Sequence, residues 1–369
     1  MIYNDIKFIL PHFCFRGSYR DAVEMTSGNI NNTYHLTFSD RGEDVHYTLQ
    51  HINKYVFKHP VEVVENISRV TSHLAHTYES LGEDPKRHVL QLIPTREGSF
   101  LHQDEQGNYW RAYGYITGAV AYDAPRKDAH IFETGRAFGQ FQRLLSNFPA
   151  EQLHETIPDF HNTTRRFYNF VASVAADRAG RVASVEDEIE FFFERRRTMG
   201  SIVRMLEKGE IPYRVTHNDT KINNILIDRD TDKALCVIDL DTVMPGSSLY
   251  DFGDAIRFCA STAAEDEPDT SKISLDMHAF QLFTEGFLSE VNGFLTENEL
   301  RNLPLGVLVI TCELAMRFLT DYMDGDIYFK VRSPEHNLVR TRAQMALLMD
   351  MEAKYDEMCR IVEAQIRNH

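Results

Sequence analysis

Between Val215 and Asp241 the chain reads VTHNDTKINNILIDRDTDKALCVIDLD, and no other stretch limits the fold so sharply. Its first half is a polar octet, His217 to Asn224, of the pattern H-x-D-x-x-x-x-N. Two short apolar runs follow, Asn224–Ile227 and Ala234–Leu240, joined by the polar turn Asp228–Lys233. That alternation predicts a β-hairpin. A hairpin here brings Asp219, Asn224 five residues on, and Asp239 fifteen beyond that to one place.

Phosphoryl transfer needs such groups. A carboxylate accepts the proton of the attacking hydroxyl, while an amide oxygen and a second carboxylate hold Mg²⁺ against nucleotide phosphates. Asp219 is thus the candidate base, Asn224 and Asp239 the candidate Mg²⁺ ligands, and ATP the expected co-substrate. Hard oxygen donors suit Mg²⁺, and no thiolate or histidine cluster at metal spacing invites Zn²⁺. The plainer alternative is a polar loop whose Asp219 and Asn224 satisfy backbone groups ahead of a buried hairpin. The second Asp at the strand end favours the chemical reading.

Asp251-Phe252-Gly253 spells the magnesium motif of protein kinases, but it lies 27 residues after Asn224 and runs straight into the helical-looking Ala255–Ala260. A metal-holding carboxylate belongs at the end of the hairpin strand, where Asp239 stands. Asp251 and Asp254 are expected to cap that helix or brace the polar loop.

The first third of the chain predicts strands around one helix. Strands are expected at Thr33–Phe38, Val45–Ile52, His88–Pro94 and Tyr109–Ile116. Val63, Ile67, Val70 and Leu74 recur at helical spacing within Val61 to Tyr78. After the glycines at 114 and 118 the texture becomes helical: Lys127–Asn147, Val185–Lys208, Met277–Val291, Glu297–Leu303, Leu305–Met323 and Arg340–Asn368. The expected domains are therefore a β-rich lobe over 1–117 and a mostly helical lobe over 118–369. The loop Thr26–Thr33 ahead of the first hairpin offers Gly28, Asn29 and Asn31 as candidate phosphate contacts through backbone N–H groups and small side chains. The next strand should supply a lysine to those phosphates; it carries Gln50 and His51 instead, with Lys54 and Lys58 past its end. Gln50 is left as a neutral hydrogen-bonding candidate.

Composition removes whole classes of function. With 39 basic and 55 acidic residues among 369, the net charge of −16 speaks against nucleic acid held by bulk charge. The five scattered cysteines suit a reduced compartment. The N-terminus lacks the basic segment of a signal peptide, and the apolar run Asn302–Cys312 is too short to span a bilayer. A soluble, cytoplasmic chain is expected, with no membrane, nucleic-acid or obligate protein partner.

The stretches HNDTKINNILID and VIDLDTVMPGSSLYDFGDAIRF resemble the aminoglycoside phosphotransferase-like kinases. With GNINNTY (28–34), AFGQFQRLLSNF (137–148), MRFLTDYMDGDIYF (316–329) and PEHNLVRTR (334–342), they are similar more narrowly to the bacterial N-acetylhexosamine 1-kinases. That resemblance runs from about 20 to 350. It implies an α+β, two-lobed, protein-kinase-like fold and transfer of the ATP γ-phosphoryl to the anomeric hydroxyl of GlcNAc or GalNAc. It also implies a sugar pocket with Arg317, Tyr328 and Phe258, and Asp241 as a helper beside the metal. Asn29 stands where the resemblance leads one to expect a histidine near the sugar. The alternatives are another acceptor (an aminoglycoside, choline or methylthioribose) or a nucleotide-binding protein without turnover. Arg317 also admits a plain i,i+4 ion pair with Asp321, and Tyr328 and Phe258 admit plain core packing.

Overall fold

The structure, a computed structural model, describes residues 2–25 and 30–368. In chain order it contains α1 (Ile2–Ile9), β1 (Ser18–Met25), β2 (Asn32–Asp40), β3 (Glu43–Ile52), α2 (Pro60–Ser80), β4 (His102–Gln103), β5 (Tyr109–Gly114) and β6 (Ala119–Val120). Next come α3 (Asp128–Leu144), α4 (Thr163–Ala176), α5 (Glu186–Met199), α6 (Ser201–Glu207), β7 (Arg214–Thr216), β8 (Ile225–Asp228), β9 (Ala234–Val237) and β10 (Met244–Gly246). The chain ends with α7 (Ser248–Cys259), α8 (Met277–Val291), α9 (Glu297–Asp324), α10 (His336–Ala353) and α11 (Tyr355–Asn368). Two compact units result: the first comprises 1–120, 151–157 and 226–244, the second 121–150, 158–225 and 245–369.

The first unit is built on a five-stranded sheet of order β1-β2-β3-β5-β4, with antiparallel pairing throughout. Period-2 alternation gives the sheet two unlike faces. Tyr34, Leu36 and Phe38 from β2, Tyr47 and Leu49 from β3, and Trp110 and Ala112 from β5 are buried in one cluster with Ile6, Ile9 and Phe13. The opposite face is polar. Thr33 pairs with Gln50, and Gln50 with Arg111, so these three side chains form one row across β2, β3 and β5. Val63, Ile67 and Val70 of α2 are fully buried and Leu74 nearly so, as the helical spacing requires.

The later segments join this unit through specific bonds. Asn66 of α2, itself buried, donates from Nδ2 to the carbonyls of His154 (2.8 Å) and Val243 (3.0 Å) and accepts from His154 N. The β8–β9 hairpin extends β6 into a three-stranded sheet, and Cys236 packs with Ile116 and Ala119.

The second unit is helical. Two helix pairs approach closely because glycines leave room for backbone. A Cβ on Gly135 or Gly286 would overlap carbonyls of Phe283 or Phe132 across the α3/α8 crossing, and Gly253 and Gly306 play the same part between α7 and α9. α9 is long and apolar enough to cross a membrane by length and composition, yet 78% of that window is buried inside the protein, as in a core helix.

Several expected elements differ. The strand expected at His88–Pro94 is reduced to a single bridge, Leu92 to Tyr113, with Ile93 N donating to Ala112 O (2.8 Å); Pro94 and the preceding turn stop it there. Val185–Lys208 is two helices, interrupted at Gly200. Glu297–Met323, expected to break at Pro304, is one helix. Leu303, Val307 and Val309 are fully buried, and that burial outweighs the hydrogen bond the proline cannot make. The last helix starts earlier, at His336, and breaks at Lys354.

Candidate active site

The loop 217–224 leaves β7 and is held largely by bonds to its backbone. Asp251, 1% exposed on α7, accepts from the N–H of His217 (3.0 Å) and of Asn218 (2.8 Å) and from Gln142 Nε2 (2.8 Å). One turn on, Asp254 accepts from Thr220 N (3.0 Å), and the Thr220 hydroxyl donates to the Asp251 carbonyl (2.6 Å). Both acids therefore brace the loop, as their helical placement suggested. Burial pushes the Asp251 carboxyl up, and those same donors oppose it. Asn218 has φ +64°, a left-handed turn, and its side chain bonds back to Thr216. Gly246 lies so close that a Cβ there would overlap the Thr216 hydroxyl. His217 presents its ring to Phe138 and Phe141, with centroids 5.5 and 6.0 Å away.

This bracing aims Asp219. Its carboxylate accepts from Asn224 Nδ2 (3.0 Å) on Oδ2 and pairs with Lys221 Nζ (2.7 Å) on Oδ1, while its side chain stays 30% exposed. Burial raises its pKa, but Lys221, His217 and Asn224 overcome that and hold the carboxyl below the usual carboxylate range. Lys221 is raised in return, chiefly by Asp219. Both bonds that Asn224 donates go to Asp219, the second to its carbonyl (2.8 Å), so the amide oxygen Oδ1 is what Asn224 offers a ligand. That arrangement fits a hard cation. Among the described residues no group of three or more His, Cys, Asp or Glu side chains could hold a metal by itself.

The second unit also holds a pocket of about 380 Å³, lined by Arg166 and Asn169 from α4, Arg317, Thr320 and Asp321 from α9, and Tyr328 and Phe329 from the loop after it, among others. The expected pairing of Arg317 with Asp321 is replaced. Asp321, buried, accepts the N–H groups of Ile327 (2.9 Å), Tyr328 (2.7 Å) and Phe329 (3.0 Å) and Asn337 Nδ2 (2.8 Å), so it builds the loop that presents Tyr328. Arg317 turns the other way, toward Glu313 (3.6 Å), with its guanidinium 5.3–5.8 Å from the rings of Phe160, Tyr328 and Phe329. Glu313 is completely buried. Burial raises its pKa, but His161, Arg317 and Arg166 prevail and keep it low. His161 bonds Glu313 (3.0 Å) on one side and reaches the Asn218 carbonyl (3.4 Å) on the other, linking Arg317 through Glu313 to the loop that carries Asp219. Burial and then Arg317 lower Arg166, whose Nε and Nη2 both donate to the Phe160 carbonyl. Tyr328 is exposed, and Phe258, half-buried on α7, does not line this pocket.

The remaining candidates belong to the first unit. Gly28 and Asn29 lie outside the described residues. Asn31 donates from Nδ2 to Asp241 Oδ2 (2.6 Å) and accepts from Asn53 N (3.0 Å). Gln50 donates to Thr33 and accepts twice from Arg111, whose third nitrogen is ion-paired with Asp241. Asp239 adopts φ +59°, ψ +56° immediately before the 3-10 turn Leu240–Thr242. Sequence reasoning missed Arg111, His161, Glu313 and Arg166. Arg111 had one available signal, its alternation with Ala112 and Trp110, which places it on the polar face.

Comparison with known proteins agrees with this architecture. The phosphotransferase enzyme family (APH) matches residues 21–273. Among solved structures, a choline kinase from Cryptosporidium parvum superposes with a TM-score of 0.59 at 14% identity, covering 99% of each chain. A spectinomycin phosphotransferase solved with ADP and spectinomycin gives 0.56 at 13%, covering 96% of this chain and 98% of that one. A Plasmodium vivax ethanolamine kinase gives 0.54 at 12%, covering 89% and 82%. The fold is thus kinase-like and α+β, with a small antiparallel-sheet lobe and a larger helical one.

Proposed function

The chain belongs to the phosphotransferase enzyme family, and from that premise we propose that it is an ATP-dependent kinase of the anomeric hydroxyl of N-acetylhexosamines. The observation that carries the choice of acceptor is the pocket beside α9. Three guanidiniums, Arg166, Arg178 and Arg317, line it. Its acids are already paired: Asp321 with three backbone N–H groups, and Asp324 with Arg178 (3.2 Å) and Ser173 (3.0 Å) of the pocket wall, which leaves Arg166 and Arg317 as the guanidiniums not paired with a pocket acid. A quaternary ammonium or an aminoglycoside would meet like charge there. A neutral, hydroxyl-rich ring meets donors and the faces of Tyr328 and Phe329, and the pocket volume falls in the range of small-molecule sites.

In this reading the sugar's C1 hydroxyl donates to Asp219, its oxygen attacks the γ-phosphorus, and the bond to the ADP oxygen breaks in line with the attack. The proton passes to Asp219, which Lys221 and Asn224 keep ionised and oriented beforehand. An anomeric hydroxyl is more acidic than an ordinary alcohol, so a weakly basic carboxylate suffices. Asn224 and Asp239 are the proposed Mg²⁺ ligands, and the ion when bound neutralises charge on the transferring phosphates. Catalysis is then mainly positioning with charge stabilisation.

The test is acceptor-dependent ADP release across GlcNAc, GalNAc, choline and kanamycin. GlcNAc and GalNAc are expected to drive turnover. Turnover with choline or kanamycin alone overturns the acceptor assignment, and nucleotide binding without turnover on any acceptor overturns the kinase.

A further inference from the structure

The strand lysine expected to meet the nucleotide phosphates is Gln50, and a cation stands beside it on the next strand. Arg111 is 1% exposed, among the largest side chains to be fully buried. Its Nε and Nη2 donate to Gln50 Oε1 at 2.9 and 2.8 Å, and its Nη1 is ion-paired with Asp241 Oδ1. Gln50 is anchored in turn on Thr33 (3.2 Å), and the other oxygen of Asp241 on Asn31 (2.6 Å). Each guanidinium nitrogen therefore faces a protein acceptor, which leaves Arg111 as an organiser of the sheet face rather than a phosphate ligand. Burial by itself would lower its pKa, but Asp241, with help from Tyr113 and Asp239, holds it above the usual range.

What Arg111 organises is the turn at Asp239. That residue has φ +59°, a conformation that costs a non-glycine residue energy and persists where its surroundings fix it. Two residues on, Asp241 is tied to Arg111 and Asn31; two further, the carbonyl of Val243 is tied to Asn66. We propose that Arg111 is the positioning residue of the nucleotide half of the site: by clamping Asp241 to Gln50 it fixes the left-handed turn that presents Asp239 to Mg²⁺. A planar fork suits the task, since it bridges acceptors on two separate segments, which a lysine's single point of charge on β3 would not. A buried ion pair by itself contributes little net stability, so a role in fixing geometry accounts for its presence better. The inference rests on the phosphoryl-transfer reading and not on which acceptor is used.

The test is calorimetric titration of ADP, without acceptor, in Mg²⁺ and in EDTA, for the wild-type chain, R111K, R111M and R111M/D241N. Wild type should bind more tightly with Mg²⁺. R111M should lose that gain by a factor of about ten or more, the size seen when a partner of a metal ligand is removed, with binding in EDTA unchanged. R111K should fall between. R111M/D241N, which removes both charges together, should fold, as judged by circular dichroism, and still lack the gain; should R111M alone fail to fold, this variant carries the comparison. Retention of the wild-type gain in R111M or in the double variant overturns the proposal, as does equal weakening with and without metal. A wild-type chain that binds ADP no better with Mg²⁺ overturns the phosphoryl-transfer reading itself, and the role of Arg111 with it.

Discussion

Replacing Asp251 by Asn separates a brace from a metal ligand. Three donors converge on this buried carboxylate, from His217 N, Asn218 N and Gln142 Nε2. An asparagine has one acceptor oxygen. In its better orientation that oxygen serves His217 and Gln142, while its NH₂ faces the N–H of Asn218. One bond to a charged acceptor, about 1.5–3 kcal/mol, is lost, and a buried donor is left without a partner, so the variant should be destabilised by about 2–4 kcal/mol. At that cost the melting temperature should fall by roughly 3–5 °C. The bond lost is the one holding the residue before Asp219. If the displaced loop misplaces the carboxylate in the transition state, the same energy appears in kcat, a fall of roughly 30-fold or more at about 1.4 kcal/mol per factor of ten. ADP-release kinetics and thermal unfolding measure the two together. The Mg²⁺ concentration for half-maximal rate should not move. A variant with unchanged stability and an altered Mg²⁺ requirement would refute the reasoning, because that is how a metal ligand behaves.

Three further expectations follow from the same geometry. Asp219→Asn should lower kcat by orders of magnitude with little change in ADP affinity, and near wild-type turnover would remove Asp219 from the mechanism. Lys221 helps hold the Asp219 carboxyl below its ordinary value of 3.8. The wild-type acid limb of kcat/KM should therefore lie below that value, with the active, ionised form lost only as pH falls further; in Lys221→Met the limb should move to higher pH, and an unmoved limb contradicts the assignment. Arg317→Met should raise the acceptor KM by roughly 10–100-fold, the worth of a charge-assisted hydrogen bond, and leave the KM for ATP unchanged; an effect on ATP alone would take Arg317 out of the acceptor pocket.

Elements with a strong period were legible. Val63, Ile67, Val70 and Leu74 gave α2, and the β-rich runs Thr33–Phe38 and Val45–Ile52 on either side of a polar turn gave β2 and β3 as a hairpin. β1 was not legible because only Ala22 of Ser18–Met25 is buried, which leaves no pattern to read. Pro304 misled because local breaking propensity is overridden where the flanking residues are fully buried. The nearness of Asp219 and Asn224 was readable from spacing, since the two stand five residues apart in one loop and their side chains bond. Arg111 and the Glu313–His161 pair were not, because their partners are 130 and 152 residues apart in sequence. Nothing local marks an arginine whose counter-charge arrives from so far along the chain. Asp251 shows the reverse case: a motif that spells metal binding but whose helix turns its carboxylate onto backbone N–H groups.

The most direct measurement is phosphorus NMR of the product formed from ATP and GlcNAc. The proposed attack by the ring's C1 oxygen yields a new phosphomonoester resonance split by the sugar's H1. A phosphate coupled to any other sugar proton, or no new resonance while choline is phosphorylated under the same conditions, would contradict the account.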